Sequence, residues 1–278
     1  MANPPIREGA RQALPGSPWE QRRRELHKIF ARIEPHYDRL NRILSLGLDR
    51  GWRDWTARAI DAEGPWLDLA SGTGDLAAHL FRRRRLARSS PILIRSDLVP
   101  ALLPVGLRKL AGGDAGGEGS RRRELFHESP GLGCEMDMLP FSDHSLGAIV
   151  QGFALRHCRD YAGFFAELHR VLRPGGQIAI LDMRYPKGPA SAVYRFYFRF
   201  VLPRLAAMLG GDRDAYRFLV GSVRSMPEEQ VLLNALRDAG FEAVESRPGF
   251  LGSVRLLLAR KPGALAGSPR SAYSAESA

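Results

Sequence analysis

The stretch of this chain that most limits its fold is Trp66-Leu67-Asp68-Leu69-Ala70-Ser71-Gly72-Thr73-Gly74-Asp75, a short apolar run that passes directly into a glycine turn. Glycines let the backbone turn tightly and approach a ligand without a Cβ in the way, and a helix starting after the turn offers free N–H groups in its first turn. Strand, tight turn and helix in that order form the opening unit of a doubly wound α/β sheet, whose ligands lie at the carboxyl ends of the strands. From about residue 65 onward, period-two and period-3.6 patterns alternate, as a parallel sheet with crossover helices requires. Strands are predicted at 65–70, 92–98, 148–151, 177–182, 243–247 and 254–259, with a weakly marked one at 133–136. Helices are predicted at 75–85, 100–110, 161–173, 189–209 and 227–239.

Charge separates the ligands that such a turn can take. Asp68 precedes the turn and Asp75 follows it, whereas a pyrophosphate pocket keeps carboxylates away from its anion. Acid on both sides suits a cation such as S-adenosylmethionine, which carries an ammonium and a sulfonium beside a ribose and an adenine. A dinucleotide is the rival, because Gly72-x-Gly74-x-x-Ala77 satisfies the Gly-x-Gly-x-x-Gly/Ala fingerprint and Asp97 follows at the spacing of a ribose-binding acid. A turn that binds nothing is the third reading. The candidate donor-binding residues are Asp68, Ser71, Gly72, Thr73 and Gly74 in the turn and Asp97 at the end of the second strand, where a carboxylate can accept from both ribose hydroxyls. Glu135 and Met136, ahead of Leu139-Pro140-Phe141, join them: a carboxylate or backbone group accepts from an adenine amino group while Met136 covers the ring.

A chain of 278 residues with 44% hydrophobic content suits one α/β domain with decorations. The domain is expected over 25–262, with a loop insertion at 111–123, a flexible basic arm at 1–24 and a disordered tail at 263–278. Residues 1–24 lack the apolar centre of a secretory signal, and Cys134 and Cys158 are too few for a disulfide framework or a zinc site, so a reducing cytoplasm and no metal are expected. The formal charge of +11 favours contact with something anionic, but the arginines at 22–24, 82–85 and 121–123 are scattered and read singly as solvated surface. In 189–209, Val193, Phe196, Tyr197, Phe200 and Val201 recur at helical spacing, with Arg195 and Arg199 on another face. Pro203 and the arginines forbid a transmembrane span, which leaves core packing ahead of peripheral contact with an anionic bilayer.

The later motifs carry a specific resemblance. The turn from Asp68 to Asp75, then Asp97, Leu139-Pro-Phe-Ser-Asp143, Gly152-Phe-Ala-Leu-Arg156-His157 and Leu168-His-Arg-Val-Leu-Arg-Pro174-Gly175-Gly176 together resemble the class I S-adenosylmethionine-dependent methyltransferases. More narrowly the chain is similar to the C-methyltransferases of ubiquinone and menaquinone biosynthesis, through residues 30–55 with Tyr37-Asp38-Arg39-Leu40-Asn41, and through Tyr216-Arg-Phe-Leu219 to Asp238-Ala-Gly-Phe241; the likeness covers about residues 25–260. It implies a seven-stranded Rossmann-like sheet, mostly parallel with the last strand antiparallel, under an N-terminal helical lid. It also implies S-adenosylmethionine as donor, with Gly152 among the residues that bind it, and a polyprenyl quinol as acceptor: demethylmenaquinol, or alternatively the benzoquinol of the ubiquinone pathway. Members of the family read Gly-Gly-Thr-Gly where this chain has Ser71-Gly-Thr-Gly74, and Phe-Gly-Leu-Arg-Asn where it has Phe153-Ala-Leu-Arg156-His157. After the acid they carry Asn or Ser and then Met-Leu, whereas here Leu98-Val-Pro100-Ala-Leu-Leu103 follows Asp97.

Carbon methylation of a quinol requires a ring carbon rich enough in electrons to attack the methyl in line, and a neighbouring phenol supplies that density once ionised. Free phenols titrate at about pH 10, so a cation beside the oxygen lowers the cost. Arg156 is the candidate cation: it stays charged and can hold a phenolate with two donors, but it accepts protons poorly. His157 has the intrinsic pKa of the missing proton acceptor, with a strand-end cap as the equal alternative. Tyr37, with Asp38 on the implied lid, orients the ring or merely packs. Competing functions fit less of the chain. A dinucleotide oxidoreductase leaves Asp68 and the Arg-Pro-Gly-Gly turn unexplained. A nucleic-acid methyltransferase lacks anything like Asn-Pro-Pro-Tyr after the fourth strand, so no nucleic acid is expected as a partner. A silent binding module rests only on His157 in place of the amide. A homodimer is left open, and the expected location is the cytoplasm, at the inner membrane face where a bilayer is touched.

Overall fold

Seven strands of the computed structural model make one sheet in the order β3-β2-β1-β4-β5-β7-β6. They are β1 (Trp66–Leu69), β2 (Leu93–Asp97), β3 (Gly131–Gly133), β4 (Leu146–Gly152), β5 (Leu172–Met183), β6 (Glu242–Gly249) and β7 (Val254–Arg260). Neighbours pair in parallel except at β7, which runs antiparallel to both β5 and β6. This is the sheet that the resemblance implied. Residues 42, 45, 47–84, 92–105, 129–158, 160–184, 188, 191–192, 196–201, 221–223 and 225–263 are described; Tyr37 and Asp38, the arm 1–24, the insertion 111–123 and the tail beyond 263 lie outside them.

Burial on both faces explains the consecutive apolar residues of the central strands, as in Ala148–Val150 and Ile178–Leu181. Trp66, Leu93, Ala148, Val150, Ala179, Leu181 and Leu256 face one layer, built from α1 (Asp49–Arg58) and α2 (Asp75–Arg84). Leu67, Leu69, Ile94, Ile149, Ile178, Ile180 and Leu257 face the other, built from α3 (Tyr161–Val171) and α4 (Glu229–Asp238). The start of α3 is set by Asp160, whose side chain accepts from the Gly163 N–H. Strand order reverses between β2-β1 and β4, so the carboxyl ends of β1, β2 and β4 form the switch point where an open α/β sheet takes its ligand.

Three expectations need correction. Strand β5 starts at Leu172, well ahead of the predicted 177, because Arg173-Pro-Gly-Gly176 is a bulge inside the strand and not a loop before it. The β4–β5 register slips there between Leu146↔Leu172 and Ala148↔Gln177, and Gly175 takes φ +77°. Lys261, just past β7, closes the bulge, its carbonyl accepting from the Gly175 N–H (3.0 Å) and its N–H donating to the Gly176 carbonyl (2.8 Å). The Pro-Gly-Gly turn therefore sits at the amino end of β5, away from the ligand rim. Second, 100–110 opens as a 3₁₀ turn, Pro100–Leu102, and is helical at 103–105. Third, core packing holds for only part of 189–209: Tyr197, in the π-helix Tyr197–Val201, packs on the α1–α2 side, while Phe196 (60%) and Phe200 (42%) are exposed and touch each other. No described helix is long and apolar enough to cross a membrane.

One glycine fixes how β4 enters the sheet. Gly147 donates to the Pro65 carbonyl (2.8 Å), and a Cβ at this position would fall on the carbonyl oxygen of Glu63. Gly147→Ala is expected to cost about 1–3 kcal/mol, because backbone and not a flexible side chain must give way. A denaturation midpoint equal to that of the parent would show that the strand entry is loose.

Candidate active site

β1 ends at Leu69, and the chain then turns through three left-handed residues, Ala70 (φ +56°), Gly72 (φ +54°) and Gly74 (φ +78°). Ser71 closes the turn at both ends, donating its N–H to the Ser96 carbonyl (2.8 Å) and accepting from the Gly74 N–H (2.9 Å). A Cβ on Gly72 would meet nothing within 4 Å, so its surface is open to a ligand. Thr73 beside it is buried.

Asp97 ends β2 and ties that turn down. One carboxylate oxygen accepts from the Gly72 N–H (2.7 Å) and the other from the Val99 N–H (2.8 Å). Asp68 is 1% exposed; its Oδ2 accepts from the Ser71 hydroxyl (2.6 Å), and its Oδ1 has no hydrogen-bond partner among the described residues. Burial pushes its carboxyl up to about 7, against the pull of the Ser71 hydrogen bond and of the Arg53 and Arg95 charges, while Asp97 adds to the rise. A carboxyl raised by folding from 3.8 to about 7 lends stability that is fully present below about pH 4 and is lost as pH rises through about 7. Asp68→Asn is therefore expected to stabilise the ligand-free chain at pH 8 by about 1–3 kcal/mol and to flatten the pH dependence of its unfolding over that window. Parallel profiles for parent and variant would show that Asp68 titrates normally.

The other predicted residues come to the same rim. Cys134 N–H donates to the Asp97 carbonyl (3.2 Å), which places Glu135 and Met136 against the end of β2, and the Gln151 amide lies 3.8 Å from the Met136 sulfur. The Leu139-Pro-Phe turn is clamped to α3: Glu167 accepts from Leu139 N–H (2.7 Å), and Arg170 donates to the carbonyls of Phe141 (2.8 Å) and Leu139 (3.1 Å). Gly152 ends β4 with Leu76 packed so close that a Cβ would sit 3.2 Å from it. Phe153 follows at φ +62°, a conformation that costs a bulky residue on the order of 1–3 kcal/mol and marks the rim as strained.

Arg156 and His157 share one 3₁₀ turn, Leu155–His157, at the carboxyl end of β4, and both are buried. Arg156 is an ion-paired cation: Nη1 donates to Asp182 Oδ1 (2.7 Å) and the backbone N–H to Asp182 Oδ2 (3.1 Å), with both side chains 3% exposed. Asp182 has no role in the sequence reading, although it lies one residue from the end of β5 as Asp97 ends β2. Arg53 has none either. It projects from α1 toward Asp75 and the ring of Phe153, and its only sequence signal is the Asp49–Arg53 spacing of one helical turn.

The comparisons with known proteins agree with this arrangement. The model of the ubiE/COQ5 methyltransferase family matches residues 19–256. The chain is 38% identical over 220 residues to the demethylmenaquinone methyltransferase of Deinococcus radiodurans, covering 78% of this chain and 84% of that protein. It is 33% identical over 228 residues to the ubiquinone/menaquinone biosynthesis C-methyltransferase UbiE of Coxiella burnetii, covering 81% and 86%. Among solved structures, an S-adenosylmethionine-dependent methyltransferase of Thermotoga maritima shares the fold with a TM-score of 0.53 at 14% identity, over 84% of this chain and 98% of that one. A family match that runs from ahead of α1 into β7, over a sheet of the expected order, makes this chain a member of the ubiE/COQ5 methyltransferase family.

Proposed function

We propose that this chain transfers a methyl group from S-adenosylmethionine to a ring carbon of demethylmenaquinol, yielding menaquinol. The observation that carries the donor is Asp68, a buried carboxyl group with one oxygen unpartnered beside the glycine turn. An ammonium gains there and a pyrophosphate is repelled. The acceptor is supported by the names of the relatives at 38% identity. The benzoquinol of the ubiquinone pathway is a second acceptor, supported by the UbiE relatives at 33%.

The donor supplies a methyl already activated on a sulfonium, so the residues of the chain have mainly to align and to stabilise charge. Asp68 takes the ammonium, Asp97 accepts from the ribose hydroxyls, and Glu135 with Met136 holds the adenine; Gly72, Thr73, Gly74 and Gly152 leave the space. Arg156 stabilises the phenolate oxygen beside the reacting carbon, and Asp182 positions Arg156 through both carboxylate oxygens. His157, next in the same turn, takes the phenolic proton; after methyl transfer the ring carbon gives up its hydrogen and the oxygen regains one, so that aromaticity returns and one net proton leaves. The test is a bacterial host deleted for its own quinone methyltransferase and carrying this chain: mass analysis is expected to show methylated menaquinone. Accumulated demethylmenaquinone would refute the acceptor.

A polyprenyl acceptor lives in a bilayer, and the exposed Phe196–Phe200 pair, with Phe250 (47% exposed) against Trp52, supports docking on an anionic inner membrane face. Binding to phosphatidylglycerol vesicles is expected to weaken with salt and to fall severalfold in Phe196→Ser/Phe200→Ser. Equal sedimentation of parent and variant would remove these rings from any membrane contact.

A further inference from the structure

We infer that Arg53 and Asp68 together form a receptor for the amino-acid end of the methyl donor, Arg53 taking its carboxylate and Asp68 its ammonium. The inference rests on the donor proposed above and adds a residue that lies outside the glycine turn.

Arg53 is 6% exposed, yet it makes no hydrogen bond among the described residues, and its Nε is buried without a partner. Its two acidic neighbours stand beyond hydrogen-bond reach, Asp49 at 3.6 Å and Asp75 at 3.8 Å. Asp49 already accepts from the Ser45 hydroxyl (3.0 Å), and Asp75 is partly open to solvent. A buried guanidinium with its donors unused is costly, and such groups are normally satisfied. Its position says by what. The Arg53 head lies 5.1 Å from the centre of the Phe153 ring, and its Nη1 is 3.9 Å from where a Cβ on Gly152 would sit. It reaches Asp75, the first residue after the glycine turn, so it overhangs the rim between β1 and β4. Its charge is felt by Asp68, whose own Oδ1 is likewise buried without a hydrogen-bond partner.

Two buried groups of opposite sign with hydrogen-bonding capacity left over, on adjacent parts of one rim, match a zwitterion. A ligand with an ammonium alone would satisfy Asp68 and leave Arg53 bare, and an anion alone would do the reverse. The free α-amino acid end of S-adenosylmethionine carries both charges on one carbon, and a guanidinium fork is shaped for a carboxylate. The competing account makes Arg53 a strut that joins α1 to α2 through Asp49 and Asp75. A strut affects every ligand alike, whereas a carboxylate receptor distinguishes ligands that have one.

Calorimetry on the full chain without quinol separates the two, using S-adenosylmethionine and decarboxylated S-adenosylmethionine. The parent is expected to prefer the carboxylated ligand by about 10- to 100-fold, the range of hydrogen bonds to a charged group. Arg53→Gln is expected to lose most of that preference while binding the decarboxylated ligand within about threefold of the parent. Equal weakening of both ligands, or of neither, overturns the receptor and leaves the strut. If Arg53→Gln does not fold, Arg53→Lys carries the same comparison with a smaller expected loss, and an unchanged preference there overturns the inference. A parent that binds neither ligand refutes the donor itself, which is a separate failure.

Discussion

Arg156→Ala is expected to destabilise the chain by about 3–5 kcal/mol, the cost of leaving one member of a buried ion pair behind. It is also expected to lower turnover by about 10²- to 10³-fold, the loss typical when one stabiliser of a developing oxyanion is removed. Asp182 is the reason for the first effect: both its oxygens face Arg156, at 2.7 Å and 3.1 Å, in a place where neither side chain meets water. Asp182→Asn separates the two effects, because it weakens the pair but keeps the cation. That variant is expected to fold more stably than Arg156→Ala and to retain more of its turnover. Urea denaturation and single-turnover kinetics with saturating donor check both statements. Normal turnover in Arg156→Ala would mean that another group holds the phenolate, and unchanged stability would mean that Arg156 and Asp182 do not meet.

Asp97→Ala is expected to weaken donor binding by about 10- to 100-fold and to cost the ligand-free chain about 2–4 kcal/mol. The second figure comes from backbone, since the N–H groups of Gly72 and Val99 both lose their acceptor. Asparagine is a poor replacement for the same reason: one of its two positions is an NH₂, which meets an N–H that needs an acceptor. Asp97→Asn is therefore expected to lie nearer to alanine than to the parent in both calorimetry and unfolding. Donor affinity within threefold of the parent for either variant would take Asp97 out of the ribose contact.

Much of the architecture can be read from one dimension because the central strands are buried on both faces. Trp66–Leu69 and Leu93–Asp97 are buried at every position and carry their signal in Trp66, Leu67, Leu69, Leu93 and Ile94, and the antiparallel placement of Val254–Arg260 comes through the resemblance. Strand β5 was misjudged at its start because Pro-Gly-Gly has the composition of a turn and becomes a bulge only when Lys261 pairs with it. Phe196 and Phe200 repeat at a spacing that a packed helix also produces, and periodicity does not say whether the face meets a sheet or water. In the site, the turn and Asp97 were legible because one strand and its loop specify them. Arg156 was legible as a motif, but its ion pair was not, since Asp182 arrives through the β4–β5 register. Arg53 shows in the sequence only as the helical partner of Asp49, because its neighbours Asp75 and Phe153 are brought to it by the folded rim.

β7 lies between β5 and β6, and β6 pairs with nothing else in the sheet. During synthesis the penultimate strand therefore has no place to dock until the final one leaves the ribosome, and β5 meanwhile presents a bare edge of the kind that recruits other chains. A message truncated ahead of Val254 forfeits two strands at once, so the flank of β5 stays open to aggregation until Val254–Arg260 has emerged.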